Sequence, residues 1–260
     1  MYEFDIERPA SIADAAEALN REGAQALGGG QTLIPTLKQR LAQPATLVSL
    51  GSIAEMQGIN ASGSNLSVGG GTTHAEAAAG AGTYPALAAL AGNIGDPAVR
   101  NRGTIGGSLA NNDPSADYPA AVLGSEAIVR TNLREIAGDN FFDGLFTTTL
   151  REGEIITRVD FVVPGKAAYA KFDQPASRFA LVGVFVAQYG DHVRVAVTGA
   201  SEDGVFRWAE AEAALAADFS PAALDGLSLS GDGMISDMHG SGEYRAHLVG
   251  VMAKRAVAAA

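Results

Sequence analysis

Cysteine is absent from the 260-residue sequence. A chain without thiols forms no disulfide, holds no iron–sulfur cluster through cysteine ligands and attaches no cofactor through sulfur. If the protein takes part in redox chemistry, its redox centre is therefore expected to be a bound organic cofactor. Any metal cluster is then expected on another chain.

Basic residues are also scarce. The 18 lysines and arginines are outnumbered by 29 acidic residues, which gives a net charge of −11. Nucleic acids and anionic membranes are both recognised through a basic surface. We therefore expect no nucleic-acid partner.

Long apolar runs are missing as well. The most apolar strand-like run, residues 179–187, is much shorter than the ~20 residues that span a bilayer. The segment Met1–Ile6 has no basic stretch followed by an apolar one, so no secretory signal is expected. The sequence thus predicts no integral membrane segment and a cytoplasmic location.

The residues that are present predict an α+β fold in three parts. Residues 1–55 have the pattern of a β-α-β-α-β unit, whose first helix begins at Ser11 with Asp14 three residues on. Residues 56–164 alternate short strands, short helices and glycine-rich turns. Pro164 and Gly165 mark a boundary, and residues 165–260 are predicted to form an antiparallel sheet with helices.

The spacing of apolar residues predicts the first and last residue of each strand and helix. Strands are expected at 2–6, 25–27, 47–50, 56–60, 65–69, 127–130, 136–137, 155–163, 167–173, 179–189, 193–198 and 206–208. Helices are expected at 12–19, 33–41, 73–79, 85–91, 120–123, 209–217, 221–223 and 244–259.

Two glycine-rich loops are the most informative motifs. The first runs from Gly28 to Pro35 and the second from Thr104 to Pro114. Glycine lets the main chain bend through positive φ and lets amide groups approach an anion. Two such loops, each with hydroxyl or amide side chains, indicate a dinucleotide pyrophosphate held from two sides.

Neither loop matches a standard phosphate-binding motif. Leu33 occupies the third glycine position of a Rossmann fingerprint, and no Gly-Lys-Ser/Thr of a Walker A loop occurs. A tight strand–helix turn remains an alternative for Gly28–Gly30. The segment Gly92–Pro119 is expected to be a long loop that wraps a ligand. Within it, Asp117 is a candidate acceptor for sugar or ribityl hydroxyls, a helix N-cap, or both.

Several motifs now form a recognisable series: Gly28–Pro35, Gly70–Glu76, Ile94–Asp117, Gly240–Arg245 and Ala253–Ala256. Their order and spacing, over nearly the whole chain, resemble the flavoprotein (medium) subunits of the molybdenum hydroxylases. This family includes carbon monoxide dehydrogenase and xanthine dehydrogenase.

The resemblance implies a fold, a cofactor and partners. It implies a two-subdomain FAD-binding fold of the vanillyl-alcohol-oxidase (PCMH) type at 1–55 and 56–164. A small C-terminal α+β domain, with an antiparallel sheet and a helix bundle, follows at 165–260. FAD would bind this chain, whereas [2Fe-2S] clusters and the molybdenum cofactor would bind a small and a large partner subunit. The implied assembly is a dimer of heterotrimers.

The resemblance also assigns cofactor-binding positions in this chain. Residues 26–33 and 104–108 would hold the pyrophosphate, Asp117 would bind hydroxyls, and two isoleucines would make hydrophobic contacts. The full set is Ala26, Leu27, Gly28, Gly29, Gly30, Gln31, Thr32, Leu33, Ile94, Thr104, Ile105, Gly106, Gly107, Ser108, Asn111, Asp117, Ile156, Lys171 and Phe179.

Four positions carry further expectations. Lys171 would place positive charge near N1/O2 of the flavin, with a solvated strand lysine as the alternative. Phe179 would lie over the flavin ring, with an ordinary core phenylalanine as the alternative. Arg178 stands where the family often has aspartate. His74 is expected to be a helix-start residue and not a covalent flavin attachment.

The implied function is electron transfer. FAD would take electrons from the partner's clusters and pass them to a quinone, NAD⁺ or oxygen, and this chain would supply no catalytic or metal-ligating residue. One alternative is a stand-alone FAD oxidoreductase of the same fold, and another is an assembly subunit that has lost FAD. The sequence identifies neither the substrate nor the acceptor.

Overall fold

A computed structural model describes the whole chain, residues 1–260. It contains three sheets, of which the first lies in the N-terminal part. Its parallel strands are Asp5–Glu7 (β1), Ala24–Leu27 (β2) and Thr46–Ser49 (β3), in the order β1-β3-β2. Helices Ile12–Leu19 (α1) and Leu33–Lys38 (α2) connect them. The Ser11 hydroxyl accepts a hydrogen bond from the Asp14 amide at 3.1 Å, which caps α1 as predicted.

The middle of the chain forms a five-stranded antiparallel sheet flanked by helices. The strands are Ile59–Ser62 (β4), Asn65–Gly69 (β5), Ile128–Thr131 (β6), Glu135–Ala137 (β7) and Ile156–Val162 (β8), in the order β4-β5-β8-β6-β7. The helices are His74–Gly80 (α3), Pro85–Gly92 (α4), Pro97–Arg100 (α5), Ile105–Asn111 (α6) and Tyr118–Gly124 (α7).

The C-terminal part forms a four-stranded antiparallel sheet. Its strands are Lys166–Asp173 (β9), Ala180–Gln188 (β10), Val193–Ser201 (β11) and Gly204–Arg207 (β12), which pair in sequence order. Helices Ala209–Ala217 (α8) and Gly242–Ala259 (α9) accompany it. Leu248 and Met252 of α9 pack with Val182 and Val195 in one core cluster.

Strand β10 contributes to two cores at once. Val182, Val184 and Val186 face the C-terminal helices, whereas Phe185 and Ala187 belong to the core of the middle sheet. Successive side chains of a strand point to opposite faces, so a strand covered on both faces is apolar throughout. The C-terminal sheet is therefore packed directly on the middle of the chain.

Several predicted elements need correction; the strand expected at 2–6, for example, begins only at Asp5. The segment Gly92–Pro119 is not one long loop, because it contains α5 and α6, whose N-caps Asp96 and Thr104 accept amide hydrogen bonds. The second helix ends at Lys38 instead of residue 41, since Arg40 has a φ of 60°. The strand expected at 56–60 begins only at Ile59, after a 3₁₀ turn. None of the helices combines the length and apolar character that crossing a membrane requires.

Candidate cofactor-binding site

The first glycine-rich loop offers a row of free main-chain donors. It connects β2 to α2, and the backbone amides of residues 28–33 donate to no acceptor in the chain. Gly30 has a φ of 76° and so allows the chain to bend just before α2 begins. Buried backbone amides normally find a partner within the chain, so this row of consecutive free amides is available to an anion.

The structure brings the two glycine-rich loops into contact. A Cβ on Gly28 would lie 3.0 Å from Thr104 Oγ1, and one on Gly29 would lie 1.9 Å from the carbonyl oxygen of Arg102. Only glycine allows the backbones to approach this closely. The turn alternative for Gly28–Gly30 therefore accounts for only part of the loop's role, because these glycines also dock it on its partner loop.

Gly106 and Gly107 lie side by side in α6 but differ in their surroundings. Gly106 is buried, and its amide donates to Gly70 O at 2.9 Å. A Cβ on Gly106 would lie 2.6 Å from that oxygen, whereas a Cβ on Gly107 would meet only Thr104 Oγ1, at 3.0 Å. The absence of a side chain at Gly107 therefore leaves space beside the first loop, while its amide donates to Thr104 Oγ1 at 3.1 Å. Further along α6, the half-buried side chains of Ser108 and Asn111 make no hydrogen bond within the chain.

Asp117 precedes α7 and is almost completely buried. It occupies the N-cap position of that helix, as one alternative expected, but its side chain makes no capping hydrogen bond. Instead the Tyr169 hydroxyl donates to Asp117 Oδ1 at 2.6 Å, and Lys171 Nζ lies 3.1 Å from the same oxygen. Burial raises the pKa of the Asp117 carboxyl, and the Lys171 ammonium and the Tyr169 hydroxyl offset part of that rise.

The Lys171 side chain is fully buried, so the alternative of a solvated strand lysine is wrong. Its ammonium donates to the carbonyl oxygens of Asn93 at 2.8 Å and Arg178 at 3.0 Å. It also lies 3.2 Å from Asp173 Oδ1. Lys171 thus connects strand β9 to the turn before Ile94 and to the turn between β9 and β10.

The hydrophobic candidates lie in different environments. Ile105 and Ile156 are buried in the central core, and Ile94 is half-buried at its edge. Phe179 is 49% exposed, so it is not an ordinary core phenylalanine. It lines a cavity of about 190 Å³ between the second loop and the C-terminal part of the chain, with Asp113 among its neighbours.

His74 is the first residue of α3, as expected, and its ring lies under the second loop. Burial, with the nearby Arg100 guanidinium, lowers the pKa of His74 to about 4, so the imidazole is neutral near pH 7. Its Nδ1 and the hydroxyl of the adjacent Tyr118 are buried without a hydrogen-bond partner. No group of three or more His, Cys, Asp or Glu side chains is arranged to hold a metal ion.

Sequence reasoning did not identify Tyr169 as part of this site. The available signal was its position two residues before Lys171, since alternate residues of a strand share a face. Its partner Asp117 is 52 residues away in the sequence, and the strand pattern contains no indication of that distance.

Comparison with known proteins identifies the class first. Residues 2–164 match the family described as the FAD binding domain in molybdopterin dehydrogenase. This match covers more than half of the chain, so the protein belongs to that family. It is an FAD-binding medium subunit of the molybdenum hydroxylase class and thus an oxidoreductase subunit.

Two curated relatives within this class are similar to the chain over almost its whole length. It is 34% identical to the nicotine 6-hydroxylase medium subunit of Paenarthrobacter nicotinovorans, over 96% of this chain and 94% of that protein. It is 31% identical to the carbon monoxide dehydrogenase medium chain of Hydrogenophaga pseudoflava, over 99% of this chain and 96% of that protein.

Solved structures show the same likeness. A carbon monoxide dehydrogenase chain from Hydrogenophaga pseudoflava superposes with a TM-score of 0.87 at 31% identity, covering 100% of this chain and 97% of the other. A quinoline 2-oxidoreductase chain from Pseudomonas putida 86 gives a TM-score of 0.88 at 28% identity, with coverages of 100% and 97%. The expected fold class is confirmed.

The residues of this chain fit FAD. The free amides of residues 28–33 and the open face at Gly107 suit a pyrophosphate. The Asp117 carboxylate suits sugar or ribityl hydroxyls, because Oδ2 accepts no hydrogen bond from the chain.

Proposed function

We propose that FAD lies across the contact between the two glycine-rich loops. Its pyrophosphate would be held by the amides of residues 28–33, in the space that the missing side chain of Gly107 leaves, and its hydroxyls by Asp117. The observation that carries this proposal is the row of amides without an acceptor. When bound, FAD supplies two-electron redox chemistry.

The chain's own residues would shape this site. The Lys171 ammonium already donates hydrogen bonds to two main-chain oxygens. Lys171 would therefore influence the flavin through its buried positive charge and by holding the turn before Ile94. Ile94 and Phe179 would contact the flavin, and the buried Ile156 would support that contact from the core. The remaining residues assigned by the resemblance would complete the pyrophosphate site.

The protein is a medium subunit, so it works with partner subunits. We propose that these are a small iron–sulfur subunit and a large molybdenum-cofactor subunit, in a dimer of heterotrimers located in the cytoplasm. The face formed by the two loops and the C-terminal part would dock the iron–sulfur subunit. Its clusters would deliver electrons to FAD, and a quinone, NAD⁺ or oxygen would receive them.

An assay of the isolated chain separates this proposal from a stand-alone FAD oxidoreductase. The full chain, supplied with FAD, is offered aldehydes, purines and N-heterocycles together with an artificial electron acceptor. We expect no turnover, because the chain has no proton donor identified beside the flavin and no metal site. The same chain co-expressed with its partner subunits is the positive control. Turnover by the chain alone would favour the stand-alone enzyme.

A further inference from the structure

The Asp117 carboxylate is held through only one of its two oxygens. The Tyr169 hydroxyl and the Lys171 ammonium both lie at Oδ1, at 2.6 and 3.1 Å. Oδ2 accepts no hydrogen bond from the chain, and it is not among the buried polar atoms that lack a partner. The carboxylate is therefore held through Oδ1, and Oδ2 remains available as a hydrogen-bond acceptor.

A glycine on the next strand makes this arrangement possible. In the β9–β10 pair, Gly183 lies opposite Lys171 and Phe185 lies opposite Tyr169. A Cβ on Gly183 would lie 2.1 Å from the Tyr169 hydroxyl oxygen. Only glycine at this position lets the hydroxyl reach Asp117, so β10 is adapted to that hydrogen bond.

The hydroxyl is also suited to be a donor. Its ring packs against the central core and near Phe185, which fixes its direction. Burial, followed by the nearby Asp117 carboxylate, raises the pKa of Tyr169 well above its ordinary value. The phenol therefore stays protonated and donates to the carboxylate throughout the physiological range.

We propose that Tyr169 is a positioning residue for FAD: with Lys171 it holds Asp117 Oδ1, so that Oδ2 faces the cofactor and accepts a hydrogen bond from one of its hydroxyls. The inference rests on the proposed placement of FAD at Asp117. It makes strand β9 a functional part of the cofactor site.

The test is a double-mutant cycle on FAD affinity. The full chain, alone and in its purified assembly, is titrated with FAD as wild type, Tyr169→Phe, Asp117→Asn and the double variant. Tyr169→Phe keeps the ring and removes only the donor, and we expect the Kd for FAD to rise about tenfold. In the Asp117→Asn background it should change the Kd little, because Tyr169 acts through Asp117.

A pH profile separates positioning from a merely structural effect. The ionisable groups around Asp117 are Tyr169, Lys171 and Asp173 of β9 and Tyr118 of α7. Loss of the Tyr169 donor destabilises the ionised form of the Asp117 carboxyl and so raises its pKa. FAD affinity, which we expect to fall as this carboxyl becomes protonated, should therefore fall at a higher pH in Tyr169→Phe than in wild type. That fall should be absent from Asp117→Asn.

Tyr189→Phe is the matched control. Its hydroxyl donates to Gly124 O at 3.1 Å and Val162 O at 3.3 Å, so it joins the residue after β10 to the middle of the chain, as Tyr169 joins β9 to it. We expect wild-type FAD affinity from this variant. A wild-type Kd and pH profile in Tyr169→Phe, or additive effects in the cycle, would overturn the inference. A wild-type chain that binds no FAD even in its assembly would instead overturn the proposed function.

Discussion

Adjacent glycines in α6 illustrate how much a residue's role depends on its surroundings. Gly106 is needed because a Cβ there would lie 2.6 Å from Gly70 O, whereas a Cβ on Gly107 would meet only the Thr104 side chain, at 3.0 Å. A side chain at position 106 would collide with the protein itself. A side chain at position 107 would fill the space that we assign to the pyrophosphate.

Replacing Gly107 with valine should separate cofactor binding from folding. We expect Gly107→Val to lower FAD affinity at least a hundredfold, or about 2.7 kcal/mol, because its side chain occupies the anion site. Its thermal unfolding temperature should stay close to that of wild type. Flavin absorbance per chain after purification and a thermal melt measure the two effects.

Gly250→Val is the matched control for this substitution. Gly250 lies within α9, and a Cβ there would meet no atom within 4 Å. The control should keep its flavin and show only the small helix-propensity effect of the exchange. If Gly107→Val purifies with as much flavin as the control, the second loop does not bind the pyrophosphate.

At the scale of elements, a buried glutamate joins the β6–β7 turn to the start of β8. Glu154 accepts hydrogen bonds from Arg134 Nε at 2.9 Å, Thr131 Oγ1 at 2.7 Å and the Arg151 amide at 2.8 Å. Burial raises the pKa of Glu154, but these hydrogen bonds outweigh it and lower that pKa to about 2. The ionised carboxylate is thus the form that stabilises the fold.

This glutamate should make stability depend on acid pH. The pKa of Glu154 in the folded state, about 2, lies below its unfolded value of 4.5. Its contribution to the free energy of unfolding is therefore fully present above pH 4.5 and is lost as the pH falls toward 2. The wild-type free energy of unfolding should fall by up to about 3 kcal/mol from this group over that range. Glu154→Gln should lack that part of the fall.

Chemical denaturation at a series of pH values measures this difference. The neighbouring Glu152 is exposed, so Glu152→Gln is a control that should follow wild type. An acid profile of Glu154→Gln that coincides with wild type would contradict the role assigned to the Glu154 carboxylate.

At the scale of the whole molecule, the candidate site depends on the packing of distant parts. Asp117 belongs to the middle of the chain, whereas Tyr169 and Lys171 belong to the C-terminal sheet. The loop at Gly28–Gly30 comes from the N-terminal sheet and contacts residues 102–104. All three parts therefore have to assemble before the cofactor groups converge.

The composition of the native assembly tests which subunit carries the flavin and which carry the metals. We expect flavin in equimolar ratio to this chain, and iron and molybdenum only on other chains, because this chain has no cysteine and no cluster of metal ligands. Separation of the subunits followed by flavin and metal analysis measures this distribution. Iron that remains with this chain would contradict the assignment.

The sequence by itself determined the features that depend on local chemistry. The absence of cysteine, the helix start at Ser11 and the uniformly apolar strand β10 each follow from residue types over a few positions. The two glycine-rich loops were recognisable for the same reason. Local hydrogen bonds and apolar spacing act within a turn or a strand, so the sequence order is sufficient to predict them.

Only the tertiary structure decided which groups meet. α5 and α6 were missed because glycines and polar caps obscure their apolar spacing, and α6 is secured by the contact of Gly106 with Gly70. The different roles of Gly106 and Gly107, and the hydrogen bond from Tyr169 to Asp117, depend on strand register and on how α7 packs against the C-terminal sheet. These contacts join residues far apart in the chain, and no local pattern encodes the geometry between them.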